Sequence, residues 1–375
     1  MSNDHQPRQG TVLFAGGGTG GHIYPNVGIV EALRATRPQA SVRFLVSSRP
    51  GDATIMERLG EAWTPSPVRP LPTLRRPWEA VPFVHAWRRG TAQVRRLVRE
   101  HDIRAVVATG GFVSGPAIAA AASLGLPRAM VNLDGVPGQA NRLLVRRCSA
   151  VFTAYRCAKL PNAEVIGLPL RAASVGDRDP AAARGALGLP AERPLLFVTG
   201  ATHGATSVIE TMMALVRRPA IRQALGPWQV LHQCGTYDVG ALQAAYDDAG
   251  VRARVVDYLD AMGQAWAGAE LAVSRAGAGS VAEAWANATP TVFLPNPYHR
   301  DQHQRLNAEP MVAGGGALIE PDAIDAERNA DRLLPVLSEL LGDSERREAM
   351  RHAARRSCPP AGAAAVAAWV DGVLG

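Results

Sequence analysis

At 375 residues the chain is too long for one ordinary hydrophobic core, and we expect two domains. Apolar residues make up 47% and charged residues 19%, as in soluble globular proteins, and no apolar run reaches the roughly 18 residues of a membrane-spanning helix. The net charge of +7 comes almost wholly from arginine and favours an anionic partner: nucleic acid, a phosphorylated substrate or an acidic membrane surface.

The N-terminal residues and the cysteines predict the cellular compartment. Residues 1–10 are polar and lack the apolar stretch of a signal peptide. The four cysteines form no CxxC pair, so we expect reduced thiols rather than disulfides or a zinc site (Cys148, Cys157, Cys234 and Cys358). We therefore expect a protein of the cytoplasm.

The first half of the chain alternates short apolar runs with helical stretches, which is typical of βαβ units and a parallel sheet. Strands are predicted at 11–15, 42–46, 105–108, 129–132 and 150–153. A glycine loop and a helix at 25–35 follow the first strand, and an alanine-rich helix follows the third.

The second half repeats this alternation after a stretch, 167–194, that Gly, Pro and Asp interrupt. Strands are predicted at 195–198, 229–233, 271–274 and 291–294, and helices at 206–217, 239–249 and 345–373. We therefore predict an α/β protein of two doubly wound domains, 10–168 and 169–375, with ligands in a cleft at the carboxyl ends of the strands. The last helix is a candidate to pack back on the first domain.

A glycine-rich loop follows the first predicted strand and opens a helix. It contains Gly18, Thr19, Gly20, Gly21 and His22. Such glycines let backbone N–H groups approach a phosphate at the positive end of a helix. The loop also satisfies GxGxxG, so a dinucleotide-binding oxidoreductase stays open, with Arg49 suited to a 2′-phosphate. A tight glycine turn, with His22 as a capping or core residue, is the purely structural alternative.

Two further loops of this kind join strands to helices. Gly110, Gly111 and Ser114 follow the third strand, and two such loops from neighbouring strands would line one anion-binding floor. In the second half Thr202 lies in an equivalent loop, where its hydroxyl and the positive end of the next helix suit a phosphate.

Two polar segments of the second half suit a hydrophilic ligand. Glu283, one turn into a helix, suits the two hydroxyls of a ribose, although Ser280-x-x-Glu283 is also a capping box that needs no ligand. His303, Gln304 and Asn307 belong to a polar segment after the last predicted strand, for which an ordinary solvated loop is the alternative. The histidines lack the spacing of metal ligands, so we predict neither a metal site nor a cofactor.

Together and in this order, these loops resemble glycosyltransferase family 28. The resemblance covers roughly residues 11–319. Its motifs are GGGTGGHIYP (16–25), GGFVSGP (110–116), GVPGQANRLL (135–144), GLPLR (167–171), HQCG (232–235), SRAGAGSVAE (274–283) and DQHQRLNA (301–308). It implies a GT-B fold with an N-terminal acceptor domain, a C-terminal donor domain, and inverting transfer without a required metal. It is nearest to members that move N-acetylglucosamine from UDP-GlcNAc to undecaprenyl-pyrophosphoryl-MurNAc-pentapeptide, a lipid-linked precursor of peptidoglycan.

The resemblance also implies roles for individual residues. The UDP-sugar would be bound by Arg171, Thr202, Leu259, Arg275, Ser280, Glu283, His303, Gln304 and Asn307. Glu283 would hold the ribose, the backbone near Leu259 the uracil, and His303 with its neighbours the sugar hydroxyls. His22 and the glycine loops would face the lipid pyrophosphate and the acceptor hydroxyl.

The sequence departs from the family in one loop of each half. Val131-Asn132-Leu133-Asp134 replaces His-Glu-Gln-Asn, and Gly200-Ala201-Thr202-His203-Gly204 replaces Gly-Gly-Ser-Gln-Gly. Because Asp can act as a general base and Asn cannot, Asp134 is the second candidate base after His22. A transferase with another acceptor, an isomerase like UDP-GlcNAc 2-epimerase, and an inactive UDP-sugar-binding regulator stay open.

An aromatic and basic segment predicts contact with an anionic membrane. Trp78, Phe83 and Trp87 lie among arginines (Arg75, Arg76, Arg95 and Arg96), a combination that suits the bilayer interface. An ordinary helix with its aromatic rings packed inward is the alternative. We expect a peripheral protein on the cytoplasmic face of the inner membrane, with cell-wall or division proteins as candidate partners and no nucleic acid.

Overall fold

The computed structural model describes residues 10–72, 77–200, 204–298 and 301–375, which form two compact units. Unit 1 comprises the described residues up to Arg171 together with Pro360–Gly375, and unit 2 is Ala172–Pro359. Each unit contains a parallel sheet with connecting helices, so the predicted α/β fold is confirmed.

Unit 1 has a sheet whose described strands run in the order β3-β2-β1-β4-β5-β6-β7, all parallel. The strands are β1 Thr11–Gly16, β2 Val42–Ser47, β3 Trp63–Ser66, β4 Ile103–Gly110, β5 Arg128–Asn132, β6 Ala150–Thr153 and β7 Glu164–Val165. The helices between them are α1 Gly20–Thr36, α2 Pro50–Leu59, α3 Ala80–Glu100, α4 Ser114–Ser123 and α5 Gln139–Leu144. Every residue of β1 is buried, because a central strand of a parallel sheet is covered on both faces.

Unit 2 repeats this arrangement with the strand order β10-β9-β8-β11-β12-β13 among its described residues. The strands are β8 Leu195–Thr199, β9 Gln229–Gln233, β10 Ala253–Val256, β11 Leu271–Ser274, β12 Thr291–Phe293 and β13 Ala317–Ile319. The helices are α6 Pro180–Ala186, α7 Thr206–Val216, α8 Pro219–Leu225, α9 Val239–Asp248, α10 Met262–Gly268, α11 Ala278–Ala286, α12 His303–Ala313, α13 Ala326–Gly342 and α14 Ser344–Ser357.

The order of the strands determines where each unit can bind a ligand. In unit 1 the chain moves outward from β1 in one direction and from β4 in the other, and β8 and β11 take the same positions in unit 2. The loops that leave such a pair of strands diverge and open a crevice at the carboxyl ends of the strands.

The single helix predicted at 345–373 is wrong. The structure has two helices, α14 and α15 Ala363–Leu374, because Pro359 and Pro360 cannot continue α14. Helix α15 packs on α1 within unit 1, with Val366 and Val370 fully buried. An ion pair of 2.8 Å between Arg37 Nε and Asp371 Oδ1 links the two helices.

The three aromatic rings that the sequence analysis predicted to contact a membrane differ in their exposure. Trp78 is 70% exposed, but Trp87 packs on α4, where a Cβ added to Gly115 would lie 2.5 Å from the indole. The ring of Phe83 lies 5.9 Å from that of Trp87 and is half-buried. The apolar side chains that accompany Trp78 at the surface are Val81 and Val84, and Arg75 and Arg76 lie outside the described residues.

Candidate functional site

The crevice of unit 1 lies between two glycine loops that touch each other. Gly111 has a φ of +75°, and a Cβ added there would lie 2.4 Å from the carbonyl oxygen of Gly17. Gly110 has a φ of +103°, and a Cβ there would lie 3.1 Å from Cε1 of His22 and 3.6 Å from Nδ2 of Asn141. Glycine is therefore needed both for the backbone conformation and for the close approach of the first loop.

His22 lies in the first turn of α1, half-buried beside the second loop. Its Nδ1 is 3.1 Å from the carbonyl oxygen of Thr109, and the hydroxyl of Thr109 donates back to the His22 carbonyl at 2.7 Å. A carbonyl oxygen only accepts, so Nδ1 carries the hydrogen and Nε2 of the neutral ring keeps its lone pair. The contact fixes the orientation of the imidazole and makes Nε2 the atom that can accept a proton.

A buried carboxylate that the sequence analysis missed holds the first glycine loop. Oδ2 of Asp52 accepts from the N–H of Gly18 at 2.6 Å and from the N–H and hydroxyl of Ser47 at 3.0 and 2.6 Å. Arg49 Nη1 donates to the Gly18 carbonyl at 2.9 Å, and its guanidinium lies over the ring of Phe112. The N–H of Gly18 is thus engaged inside the protein and cannot serve a phosphate.

Ser114 shapes the second loop from inside. The residue is fully buried, and its hydroxyl lies 2.6 Å from the carbonyl of Gly110 and accepts from the N–H of Gly110 at 3.1 Å. The contribution of Ser114 in this structure is therefore to the shape of the loop.

The loop after β5 carries the other candidate base. The amide of Asn132 donates to the backbone carbonyl of Asp134 at 2.7 Å and accepts from Nδ2 of Asn141 at 3.2 Å. Burial, with the nearby charge of Asp134, raises the pKa of Tyr155. Since Asn141 also adjoins Gly110, this loop is tied to the side of the crevice where His22 lies.

Arg171, the last residue of the first segment of unit 1, packs on the helix that carries His22. Its guanidinium lies 4.1 Å from the ring centroid of Tyr24, a cation–π contact. One turn further along α1, Gly28 lets the chain pass so closely that an added Cβ would lie 2.5 Å from the carbonyl oxygen of Leu170. Helix α1 therefore positions both His22 and Arg171.

The crevice of unit 2 lies where α7 and α11 begin, beside a cavity of about 400 Å³. Among the described residues, neither helix has a side-chain cap, since the N-cap positions are Ala205 and Gly277. By contrast, aspartates cap four helices of the same unit (Asp179, Asp238, Asp325 and Asp343). Uncapped N-terminal N–H groups with the positive end of the helix dipole suit an anion.

Glu283 does not belong to a capping box. Helix α11 begins at Ala278 with Gly277 as its N-cap, so Ser280 already lies inside the first turn and that alternative is wrong. The carboxylate of Glu283 accepts instead from the Ser174 hydroxyl at 2.8 Å and from the indole N–H of the buried Trp266 at 3.1 Å. Each carboxylate oxygen can accept a further hydrogen bond, which leaves capacity for a ribose diol.

Arg275 lines the cavity but is committed to an internal network. Its Nη1 lies 2.6 Å from Oδ2 of Asp322 and donates to the carbonyl of Leu294 at 2.9 Å, and its Nη2 donates to Ser207. Burial alone would raise the pKa of Asp322. The hydrogen bonds from Ser207, Asn329 and the Ile324 N–H, with the charge of Arg275, outweigh it and lower that pKa.

The last three predicted residues, His303, Gln304 and Asn307, all lie in α12 but have different surroundings. Gln304 lines the cavity and accepts from the N–H of Asn296 at 2.9 Å. His303 lies 2.8 Å through Nδ1 from Asp301 Oδ1, which gives Nδ1 the hydrogen of the neutral ring. Asn307 is fully buried and donates to the carbonyl of Ala276 at 3.3 Å, so in this structure it braces the loop and is closed to a sugar hydroxyl.

Two further predicted residues complete unit 2. Leu259 is buried just beyond β10, at the carboxyl edge of the sheet, and the family resemblance implies that the uracil binds near its backbone. Thr202 lies outside the described residues. No group of three His, Cys, Asp or Glu side chains that could hold a metal ion occurs in the part of the chain that the structure describes.

Comparison with known proteins covers both units. Residues 12–153 match the model of the glycosyltransferase family 28 N-terminal domain, and residues 195–364 match that of the C-terminal domain. A protein of Clavibacter michiganensis is 37% identical over 88% of each chain, and one of Salinibacter ruber is 35% identical over 95% of each. Both are named UDP-N-acetylglucosamine--N-acetylmuramyl-(pentapeptide) pyrophosphoryl-undecaprenol N-acetylglucosamine transferase.

Solved structures share the fold. Acinetobacter baumannii MurG superposes with a TM-score of 0.72 at 22% identity, covering 97% of this chain and 99% of its own. A UDP-GlcNAc 2-epimerase from Neisseria meningitidis bound to UDP-GlcNAc gives 0.62 at 11% identity, covering 97% and 99%. At these identities the likeness concerns the fold alone.

Proposed function

This chain belongs to glycosyltransferase family 28, and from that membership we propose that it moves N-acetylglucosamine from UDP-GlcNAc to undecaprenyl-pyrophosphoryl-MurNAc-pentapeptide, with inversion at the anomeric carbon. The observation that carries the proposal is the fixed imidazole of His22 in the crevice of unit 1. Family membership overturns the dinucleotide-binding alternative. Arg49, which that alternative assigned to a 2′-phosphate, instead donates a hydrogen bond to the Gly18 carbonyl.

His22 is the proposed general base. In a single displacement the acceptor hydroxyl oxygen forms a bond to the anomeric carbon while the bond from that carbon to the UDP oxygen breaks. Nε2 of His22 has the free lone pair that takes the hydroxyl proton, because the Thr109 carbonyl occupies Nδ1. Asp134 is the second candidate base.

Unit 2 is the proposed donor half. The uncapped N-termini of α7 and α11 would stabilise the charge that develops on the departing UDP, without a metal. Glu283, oriented by Ser174 and Trp266, would hold the ribose, and the backbone near Leu259 the uracil. Thr202, Ser280 and Arg171, as the family motifs imply, would bind the phosphates.

The lipid-linked acceptor requires contact with a bilayer, which we propose for the turn that contains Trp78 and the start of α3. Trp78, Val81 and Val84 are 70%, 78% and 47% exposed, and Arg88 and Arg89 follow them at the surface. Aromatic and aliphatic side chains beside arginines suit the interface of an anionic membrane. The proposed location is the cytoplasmic face of the inner membrane, with cell-wall or division proteins as further partners.

None of the helices in the described ranges is both long and apolar enough to cross a bilayer.

The test is UDP release from UDP-GlcNAc and the lipid-linked acceptor, with His22→Ala as the variant. Since a positioned general base contributes roughly 10²–10⁴ in rate, we expect turnover to fall at least about 10²-fold while UDP-GlcNAc binding persists. His352→Ala removes an exposed histidine of α14 and serves as the control. Turnover within tenfold of wild type in His22→Ala, with a large loss in Asp134→Asn, would move the base to Asp134. No UDP release from the wild type would sink the proposed reaction.

A further inference from the structure

Asp52, in the first turn of α2, is a buried carboxylate that the sequence motifs did not single out. The residue is only 2% exposed, and among the described residues no cation pairs with its carboxylate. Its Oδ2 accepts instead from three uncharged donors, the N–H of Gly18 and the N–H and hydroxyl of Ser47. A buried charge is costly unless such donors satisfy it, and the positive end of α2 also stabilises it. The carboxylate therefore joins the start of α2 to the first glycine loop and to the end of β2.

The two glycines beside this carboxylate are required by the protein itself. An added Cβ at Gly17 would lie 2.6 Å from Oδ2 of Asp52, so a side chain there would displace the carboxylate. Gly18 has a φ of +101°, its N–H donates to Asp52, and its carbonyl accepts from Nη1 of Arg49 at 2.9 Å. Both polar backbone groups of Gly18 are thus bonded to the N-cap and the first turn of α2. The shape of the loop is set by these contacts before any ligand binds.

The first loop in turn supports the loop that orients His22. The carbonyl oxygen of Gly17 packs so closely on Gly111 that a Cβ added to Gly111 would lie 2.4 Å from it. Gly111 lies two residues after Thr109, whose carbonyl accepts from Nδ1 of His22 at 3.1 Å. Because packed segments transmit small displacements, a shift of Gly17 moves the segment that fixes the imidazole. Asp52 is therefore connected to His22 through two backbone segments in contact.

We propose that Asp52 is a positioning residue for the acceptor. By fixing Gly18 it sets the spacing of the two glycine loops, and through them the place at which the acceptor hydroxyl meets Nε2 of His22. The inference rests on the proposed function and adds to it a side chain that is buried away from both substrates. Asp52 and all its partners belong to unit 1, so we expect donor binding in unit 2 to be independent of it.

The test is the steady-state kinetics of Asp52→Ala, with the concentrations of UDP-GlcNAc and of the lipid-linked acceptor varied in turn. The KM for the acceptor rises about tenfold or more, because a small displacement of positioning groups has effects of this size, while the KM for UDP-GlcNAc stays within about twofold of wild type. A merely structural role would instead reduce the fraction of folded enzyme, which lowers kcat and leaves both KM values unchanged. Asp52→Asn keeps the volume and an oxygen at Oδ2 without the charge, and it gives a smaller rise in the acceptor KM.

Glu57→Ala removes an exposed carboxylate from the same helix and is the matched control, with both KM values as in wild type. If Asp52→Ala does not fold, Asp52→Asn decides alone, because it leaves no cavity and keeps an acceptor for the same donors. An unchanged acceptor KM in the folded variants, or a parallel rise of both KM values, overturns the positioning role and leaves the proposed reaction standing. Wild-type protein that releases no UDP overturns both.

Discussion

The carboxylate of Glu283 is held by two side chains far from it in sequence, Ser174 and Trp266. This arrangement orients the Glu283 carboxylate before a ligand binds, so ligand binding costs little further side-chain entropy.

We expect Glu283→Gln to weaken UDP binding by about 1–3 kcal/mol, because a charge-assisted hydrogen bond becomes a neutral one. Calorimetric titration with UDP measures the effect. Glu309→Gln, which removes an exposed partner of Arg305 on α12, is the control and should bind UDP as wild type does. Equal affinity of wild type and Glu283→Gln would exclude Glu283 from the nucleotide site.

Sequence could predict single residues only where their role depends on neighbours in the chain. His22 and Glu283 stand out because glycine loops and a strand-to-helix junction surround them. Asp52 and Asp322 stayed hidden because their partners, Gly18 and Arg275, are brought close only by the packing of neighbouring strands and their loops. The capping box failed for a local reason, since α11 begins two residues before Ser280.

At the scale of the element, the exposed side chains of α3 change from apolar to basic along the helix. The exposed side chains of its first turn are apolar, and most of the exposed side chains after His85 are arginines (Arg88, Arg89, Arg95, Arg96 and Arg99). Such an order lets apolar groups enter the bilayer interface while the cations stay at the level of the headgroups.

We expect the triple variant Trp78→Ser/Val81→Ser/Val84→Ser to stop sedimenting with anionic vesicles while its folding and UDP binding persist. Wild-type binding should weaken as salt rises, because each basic residue contributes about 1 kcal/mol through a charge interaction that salt screens. Leu124→Ser/Val165→Ser removes exposed apolar groups elsewhere in unit 1 and should sediment as wild type does. Undiminished sedimentation of the triple variant would place the membrane contact on another surface.

Central strands were predictable and edge strands were not. The predictions at 150–153, 229–233 and 271–274 match β6, β9 and β11 residue for residue. The missed strands β3, β7, β10 and β13 are the edges of the two sheets, where strands of two to four residues, polar residues and proline are tolerated. Pro65 in β3 is an example.

At the scale of the whole molecule, a buried histidine makes stability depend on pH. His232 of β9 is fully buried, with Nδ1 2.9 Å from the hydroxyl of Tyr246. Burial lowers the pKa of His232 to about 3 from its ordinary value of 6.5. Below pH 6.5 the unfolded chain therefore binds a proton that the folded chain does not, and the free energy of unfolding falls by about 1.4 kcal/mol per pH unit.

We expect the urea midpoint of wild type to fall between pH 7 and pH 5 by more than that of His232→Phe/Tyr246→Phe. The double variant removes the titrating ring and its hydroxyl partner together, so no unpaired polar group is left in the core. The interval lies above the range in which Asp322 takes up a proton, since its pKa is lowered from 3.8. Parallel pH dependences in the two proteins would show that His232 does not titrate in this way.

The position of α15 has a consequence for how the protein is made. Its residues belong to unit 1, yet the ribosome reaches them only after it has synthesised all of Ala172–Pro359. At 5–20 residues per second that interval lasts roughly ten to forty seconds, during which the surface of α1 that α15 will cover stays open. The domain that begins first therefore finishes last, and the nascent chain carries an uncovered apolar face throughout the synthesis of unit 2.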